Sequence, residues 1–137
     1  MTTSQSSPGP ATPSKVYIFE CSSETYLACI EKSVFGSNKP WPLQVLKGDF
    51  CLLHHYDAGS LFGLWRAESN GGRNLVPRAW NGKYPYQVKV AGASSKIIEV
   101  PKNLMAQFDV DPAAGRFDNV VEDQLARVVI ETLQRSK

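Results

Sequence analysis

The sequence has few of the residues from which disulfide scaffolds and zinc sites are built. Its 137 residues include two histidines and three cysteines, Cys21, Cys29 and Cys51, which form no CxxC pair. A disulfide framework normally has an even number of cysteines, and zinc sites group cysteines or histidines at short spacing. His54 and His55 are adjacent, so on a strand they would point to opposite faces. We therefore expect an intracellular protein with reduced, mostly buried thiols and no bound metal.

Long apolar runs are also missing. No stretch approaches the roughly 20 apolar residues that a membrane-spanning helix needs, and residues 1–14 lack the apolar centre of a secretory signal peptide. This segment is rich in Ser, Thr and Pro and carries no charged side chain, which predicts a disordered tail. With 42% hydrophobic residues in the whole chain, we expect residues 15–137 to bury a core as one domain.

Signatures of catalysis are absent as well. The sequence contains no GxGxxG, GxxxxGK[ST], GxSxG or HExxH motif. Cys51 and His55 would lie about 13 Å apart along a single strand, which is too far for a Cys–His nucleophile. The sequence thus indicates a protein that is not an enzyme and uses no cofactor.

Hydrophobic patterning predicts an α+β domain. The predicted strands are residues 16–19, 50–56, 61–67, 87–90 and 96–100, of which the second and third form a hairpin. The predicted helices are residues 24–32, a short one within 101–108, and residues 120–134 capped by Asp118. The prolines on both sides of Trp41 favour an extended backbone there. We expect a small curled β-barrel flanked by short helices.

Positive charge is concentrated in one segment, although the net charge of the chain is only +2. Between residues 66 and 89 the basic side chains are opposed by Glu68 alone and are interleaved with Trp80, Tyr84 and Tyr86. Such a pattern suits a surface that neutralises phosphates and stacks bases. The alternative is a solvated basic loop between aromatic residues of the core.

Several segments, in order and at compatible spacing, resemble the DCD (development and cell death) domain. The matching segments are residues 16–19 (VYIF), 24–29 (ETYLAC), 34–36 (VFG), 48–57 (GDFCLLHHYD), 61–67 (LFGLWRA), 72–80 (GRNLVPRAW) and 84–90 (YPYQVKV). In that family the corresponding motifs read IFxC, TYxEC, xxFGL, G…LFLYNYD, LHGIFEA, xxNIxPxAW and FPAQVRV. Ser37 and Arg66 depart from the pattern, since the family has a leucine and an acidic residue there.

The same order of motifs is similar to the wider PUA-like superfamily, which includes the YTH and EVE domains. This resemblance implies a β-barrel with flanking helices and a ligand pocket. YTH domains hold a methylated base in an aromatic cage, and residues 34–37 and 80–83 of this sequence resemble places from which that cage is partly built.

The candidate site residues follow from the charge pattern and from the resemblance together. We expect the ligand to contact Phe35, Trp41, Trp65 and Trp80, although large aromatic side chains also suit a core. We expect phosphates to contact Lys39, Arg66, Arg73, Arg78 and Lys83. The leading hypothesis is a reader of DNA or RNA, possibly methylated, with a pocket for a modified or flipped base. The alternative is a protein–protein interaction module, because the DCD family is associated with stress and cell-death signalling.

Overall fold

The structure is a computed structural model that describes residues 15–56, 58–77, 79–93, 96–108, 110–111, 116–117 and 120–135. The predictions for the tail at residues 1–14, the role of Arg78 and the cap at Asp118 lie outside these residues. No helix in the described ranges is long and apolar enough to cross a membrane.

Most of the strands form one mixed sheet. Its members are β1 (Lys15–Cys21), β2 (Val34–Ser37), β3 (Phe50–His55), β4 (Ser60–Ala67), β5 (Gly72–Arg73), β6 (Tyr86–Gly92), β7 (Ile98–Glu99) and β10 (Val120–Glu122). The order across the sheet is β10-β1-β3-β4-β6-β2, with β5 paired to β6 and β7 paired to β4. β1 and β3 pair in parallel, whereas the other described pairs are antiparallel. Strands β8 (Val110–Asp111) and β9 (Arg116–Phe117) form a separate pair.

Three helices accompany the sheet: α1 (Ser23–Glu31), α2 (Lys102–Met105) and α3 (Asp123–Arg135). α1 begins with a capping box, in which the backbone N–H of Ser22 donates to the Thr25 hydroxyl at 2.8 Å. Two 3₁₀ turns, Trp41–Gln44 and Ala79–Gly82, lie in the connections after β2 and β5. Each turn therefore carries one of the tryptophans that the sequence predicts to contact a ligand.

Both faces of the central strands are buried, because successive side chains of β1 alternate between two apolar clusters. Val16 and Ile18 pack in the cluster that α3 covers. Tyr17 and Phe19 pack in the second cluster, inside the curve of the sheet. The sheet curls far enough to bring the rings of Phe19 on β1 and Phe35 on β2 within 5.6 Å of each other. The predicted α+β fold, a curled sheet with short flanking helices, is thus confirmed.

Two local predictions are wrong. The segment at Trp41 is a 3₁₀ turn and not extended, since Pro40 adopts a helical backbone conformation and its carbonyl accepts from the N–H of Leu43 at 3.0 Å. A proline at the start of a helical turn removes no hydrogen bond. The last helix begins at Asp123, because the residues before it form β10 and pair with β1. The β-branched Val120 and Val121 suit that edge strand.

Candidate ligand-binding pocket

A pocket of about 390 Å³ lies where the curled sheet does not close. β1 and β2 are near each other, but among the described strands neither is hydrogen-bonded to the other. The pocket occupies this seam between the end of β1, the start of α1 and the end of β2. We call it the seam pocket. Its aromatic lining consists of Trp41, Tyr56, Trp80 and Tyr84.

Trp80 is held in a fixed orientation at one side of the seam pocket. Its indole N–H donates to the carbonyl oxygen of Thr25 on α1 at 3.3 Å, and its ring meets that of Tyr84 edge-on, with centroids 5.6 Å apart. The ring also lies against Gly36 of β2, where an added Cβ would come within 2.6 Å of ring atom Cζ3. Trp80 itself has a positive φ of 56°. The side chain is half-buried, so it is both constrained and accessible to a ligand.

Trp41 reaches the seam pocket from the connection after β2. Its ring is tilted against Phe19 at a centroid distance of 4.6 Å and stacks nearly parallel to Tyr17 at 6.1 Å. The side chain is half-buried against the inner cluster. The structure therefore brings Trp41 and Trp80 into one pocket, although they are far apart in sequence.

Phe35 and Trp65 lie elsewhere. Phe35 is completely buried and Trp65 is 7% exposed, and their rings meet edge-on inside the sheet with centroids 4.9 Å apart. They are core residues behind the seam pocket, and neither belongs to its lining. This placement corrects the expectation that they contact the ligand. The cause is the register of β2, which pairs Phe35 with buried Val88 and turns both side chains inward.

The lining of the seam pocket also includes polar residues, which are Glu20, Ser22, Thr25, Ser37, Asn38 and Lys39. Because side chains alternate along β1, that of Glu20 lies on the same face as Ile18, which is the face that α3 covers. Its carboxylate lies there 3.4 Å from Nδ1 of His54, which is itself buried. The carboxylate is therefore directed towards His54 and not towards Trp41, which packs on Tyr17 and Phe19.

Two thiols also line the seam pocket. Cys21 ends β1, Cys29 lies on α1, and both are buried with free thiols. A side-chain hydrogen bond with Cys21, together with burial, raises the pKa of Cys29. The third cysteine, Cys51, is completely buried, and this burial, followed by the charge of Asp49, raises its pKa. A thiol that holds its proton is a poor nucleophile, so this chemistry favours a structural role for Cys29 and Cys51.

Gln87 is a structural residue of the site that the sequence analysis missed. Alternation along β6 predicts it on a polar face, but it is completely buried. Its amide oxygen accepts from the N–H of Val76 at 2.7 Å, and its amide nitrogen donates to the carbonyl oxygens of Tyr84 at 3.1 Å and Val76 at 3.3 Å. Gln87 therefore fastens both ends of the connection that carries Trp80. A polar residue amid apolar neighbours in YPYQVKV is the only signal in the sequence.

The basic residues divide into two groups by their position. Lys39 lines the seam pocket and is exposed. Lys83 is exposed between Trp80 and Tyr84, and its backbone N–H donates to the Trp80 carbonyl at 3.1 Å. Arg73 is exposed on β5 and lies over the ring of Tyr86. Arg66 is distant from these residues. It lies on β4, opposite Phe50 of β3 and Ala91 of β6, and Ala91 is near the end of β6 that is far from Tyr86.

Among the residues that the structure describes, no group of three or more His, Cys, Asp or Glu side chains could hold a metal ion. Among the described contacts of the seam pocket, no nucleophile lies at hydrogen-bonding distance from a base. Its lining of aromatic rings around a few polar groups is typical of a binding site.

Comparison with known proteins places the chain in context. Residues 15–107 match the family model of the development and cell death domain. Among solved structures, the YTH domain of Pho92 in complex with m6A is similar, with a TM-score of 0.61 and 14% identity, over 95% of this chain and 91% of that chain. The YTH domain of Zygosaccharomyces rouxii MRB1, in complex with N6-methyladenosine RNA, has a TM-score of 0.57 and 15% identity, over 95% and 94% of the two chains. No curated protein sequence matches.

Proposed function

This chain belongs to the development and cell death domain family, and we propose that it is a non-catalytic reader of nucleic acid that holds one base in the seam pocket. The observation that carries the proposal is the convergence of Trp41 and Trp80 on one concave site with exposed lysines beside it. A fold shared with YTH domains, two of which have been solved with methylated adenosine, supports it.

The size and lining of the seam pocket suit a base that has left the stack. The volume of about 390 Å³ falls in the range of roughly 300–1,000 Å³ that is usual for ligand pockets. A flipped base needs aromatic faces for stacking and polar groups for its edge. Trp41 and Trp80 supply the faces, and Ser37 and Asn38 of the lining supply polar side chains that can both donate to and accept from the edge of the base.

The charges beside the pocket suit the phosphates of the same strand. Lys39 and Lys83 are exposed at the border of the seam pocket. Each phosphate that a lysine neutralises releases a counterion, and the slope of log K against log salt becomes more negative by about 0.7 per contact for a single strand. Binding is therefore expected to weaken as the salt concentration rises.

The experiment is a titration of fluorescent DNA and RNA oligonucleotides, single- and double-stranded, with and without N6-methyladenosine or 5-methylcytosine, at two salt concentrations. We expect salt-sensitive binding of at least one probe, and a loss of affinity of about tenfold or more in Trp41→Leu and Trp80→Leu, because stacking contributes about 1–3 kcal/mol per base. Lys39→Gln removes an exposed lysine at the pocket. Its matched control is Lys102→Gln, which removes an exposed lysine at the start of α2. An absence of salt-sensitive binding to every probe refutes the proposal.

A second candidate is a protein-interaction module, which one observation favours. Four aromatic side chains around one cavity also suit the cationic side chain of a peptide, through cation–π attraction. If the seam pocket takes a peptide, lysine- or methyllysine-containing peptides bind while oligonucleotides do not, and Trp80→Leu weakens peptide binding. Under the nucleic-acid proposal, oligonucleotides bind with an affinity that falls as salt rises, and these peptides do not compete with them.

A further inference from the structure

We propose that Arg73 and Tyr86 form a second subsite, in which the guanidinium binds the phosphate next to the nucleotide held in the seam pocket. This inference rests on the proposed function and adds a position along the strand. It concerns residues outside the pocket lining, on the strands beyond its edge.

The register of three strands places this subsite in line with the seam pocket. Ser37 of β2, which lines the pocket, pairs with Tyr86 of β6, and Tyr86 pairs with Arg73 of β5. Residues directly opposite each other in antiparallel strands point to the same face. Ser37, Tyr86 and Arg73 therefore form a row across the three strands. Since neighbouring strands are about 4.8 Å apart, this row runs outward from the pocket, with Tyr86 about 5 Å and Arg73 about 10 Å from Ser37.

The arrangement of the side chains in this row suits the binding of a phosphate. The Arg73 guanidinium lies 5.5 Å from the centroid of the Tyr86 ring, and Arg73 is exposed while Tyr86 is half-buried. A guanidinium stacked on an aromatic ring keeps its N–H donors free in the plane of the fork, where they can bind two phosphate oxygens. Tyr86 is therefore a positioning residue, because it limits the orientations of Arg73.

Lys39 lies beside the pocket end of this row, two residues after Ser37 in the chain. Its backbone N–H donates to the Ser37 hydroxyl at 3.0 Å, which fixes the start of the connection that carries its exposed side chain. Lys39 is thus next to Ser37, and Arg73 is opposite Tyr86. A strand that leaves the seam pocket past Ser37 meets one cation at the border and the next at Arg73.

Arg66 provides a matched control. Its guanidinium also lies over an aromatic ring, that of Phe50, at 4.8 Å, and its side chain is also exposed. Its partner on β6 is Ala91, which by strand rise is about 17 Å from Tyr86. The two arginines therefore share their local chemistry and differ in their distance from the seam pocket.

The experiment compares nucleosides with short oligonucleotides. The probes are adenosine, N6-methyladenosine and 5-methylcytidine, each as the free nucleoside and as the central residue of a uridine-flanked RNA trinucleotide. We expect Arg73→Gln to weaken trinucleotide binding by about tenfold and to make the salt slope less negative by about 0.7, with nucleoside binding unchanged. Tyr86→Leu should weaken the trinucleotide similarly, Tyr86→Phe should retain its affinity, and Arg66→Gln should change neither probe.

The outcomes separate the subsite from the pocket. If the wild-type protein binds neither these probes nor the oligonucleotides of the first titration, the proposed function fails and the subsite with it; if it binds only the longer oligonucleotides, the subsite is refuted as a site next to the held nucleotide. If it binds but Arg73→Gln leaves the trinucleotide affinity unchanged, the subsite is refuted and the pocket stands. An equal loss for nucleoside and trinucleotide also refutes the subsite, because it means that Arg73 supports the pocket itself.

Discussion

The indole of Trp80 rests on Gly36, with so little space between them that a methyl group on the glycine would lie 2.6 Å from ring atom Cζ3 and 3.2 Å from the carbonyl oxygen of Tyr84. Gly36 is the second-last residue of β2, where the strand borders the seam pocket. The absence of a side chain at this position is what allows an aromatic ring from a distant connection to line the pocket.

Replacement of this glycine is expected to displace the ring. In Gly36→Ala the new methyl group must push Trp80 away, so oligonucleotide affinity should fall about tenfold, and overpacking should lower the free energy of unfolding by about 1–3 kcal/mol. Titration and urea unfolding measure the two effects. The same change in a Trp80→Leu background should cost much less, because the clash is gone; equal costs in both backgrounds contradict the contact.

Gln87 is buried in the sheet, and we expect it to affect both the stability of the domain and the ligand affinity of the seam pocket. In Gln87→Leu, three hydrogen bonds to Val76 and Tyr84 disappear, and the backbone groups left without partners should lower the free energy of unfolding by about 1–3 kcal/mol. Ligand affinity should fall as well, because the connection that carries Trp80 loosens. The control is Gln107→Leu, an exposed glutamine. Unchanged affinity in Gln87→Leu would show that Trp80 is positioned independently.

Leu133 tests whether stability can be lowered without an effect on ligand binding. It is completely buried against the face of the sheet that α3 covers. A Cβ on Gly63 would lie 2.9 Å from its Cδ1 atom, so α3 and β4 are tightly packed there. Leu133→Ala should lower the free energy of unfolding by about 2–5 kcal/mol. At a temperature where the variant stays folded, ligand affinity should equal that of the wild type; a matching loss of affinity would mean that the two faces are not independent.

The buried thiols predict a fall in stability at alkaline pH. A hydrogen bond with Cys21 and burial raise the pKa of Cys29, and burial and the charge of Asp49 raise the pKa of Cys51. The folded protein therefore keeps protons that the unfolded chain releases near pH 8.5. The unfolded state then binds fewer protons, and the free energy of unfolding should fall above that pH by up to about 1.4 kcal/mol per pH unit for each thiol. Below about pH 8 these groups contribute no pH dependence.

Urea unfolding under reducing conditions at pH 7.0, 8.5 and 9.5 measures this dependence. Cys51→Ala should show a shallower decline with pH, although its stability at pH 7 is lower because a buried group has been removed. A decline of the same steepness in the variant would assign the effect to other groups.

Much of the fold could be predicted from the sequence, because its strands carry local signals. The run of β-branched and aromatic residues at 16–19 predicts a strand, and in the structure its alternate side chains pack in two different clusters. The hairpin of β3 and β4 is confirmed with antiparallel pairing. The resemblance to YTH domains suggests Trp80 as a ligand contact; Trp80 lines the seam pocket, and its contact with a ligand stays a prediction.

The rest of the site depends on pairings between distant segments, which no local pattern reveals. Phe35 and Gly36 are neighbours on β2, and only the pairing with β6 decides that the phenylalanine turns into the core while the glycine receives Trp80. Arg66 and Arg73 look alike in sequence, but strand pairing separates them by the length of β6. The hydrogen bonds of Gln87 also join residues that only the fold brings together.

Under the proposed function, the open seam between β1 and β2 links the stability of this domain to its ligand. A ligand of the seam pocket needs β1, β2 and α1 in their folded arrangement, so it would bind the folded chain and not the unfolded one. Its presence therefore adds RT ln(1 + [L]/Kd) to the free energy of unfolding, about 2.7 kcal/mol at a hundredfold excess over Kd. In the cell, the lifetime of the domain would then rise and fall with the concentration of the molecule it recognises.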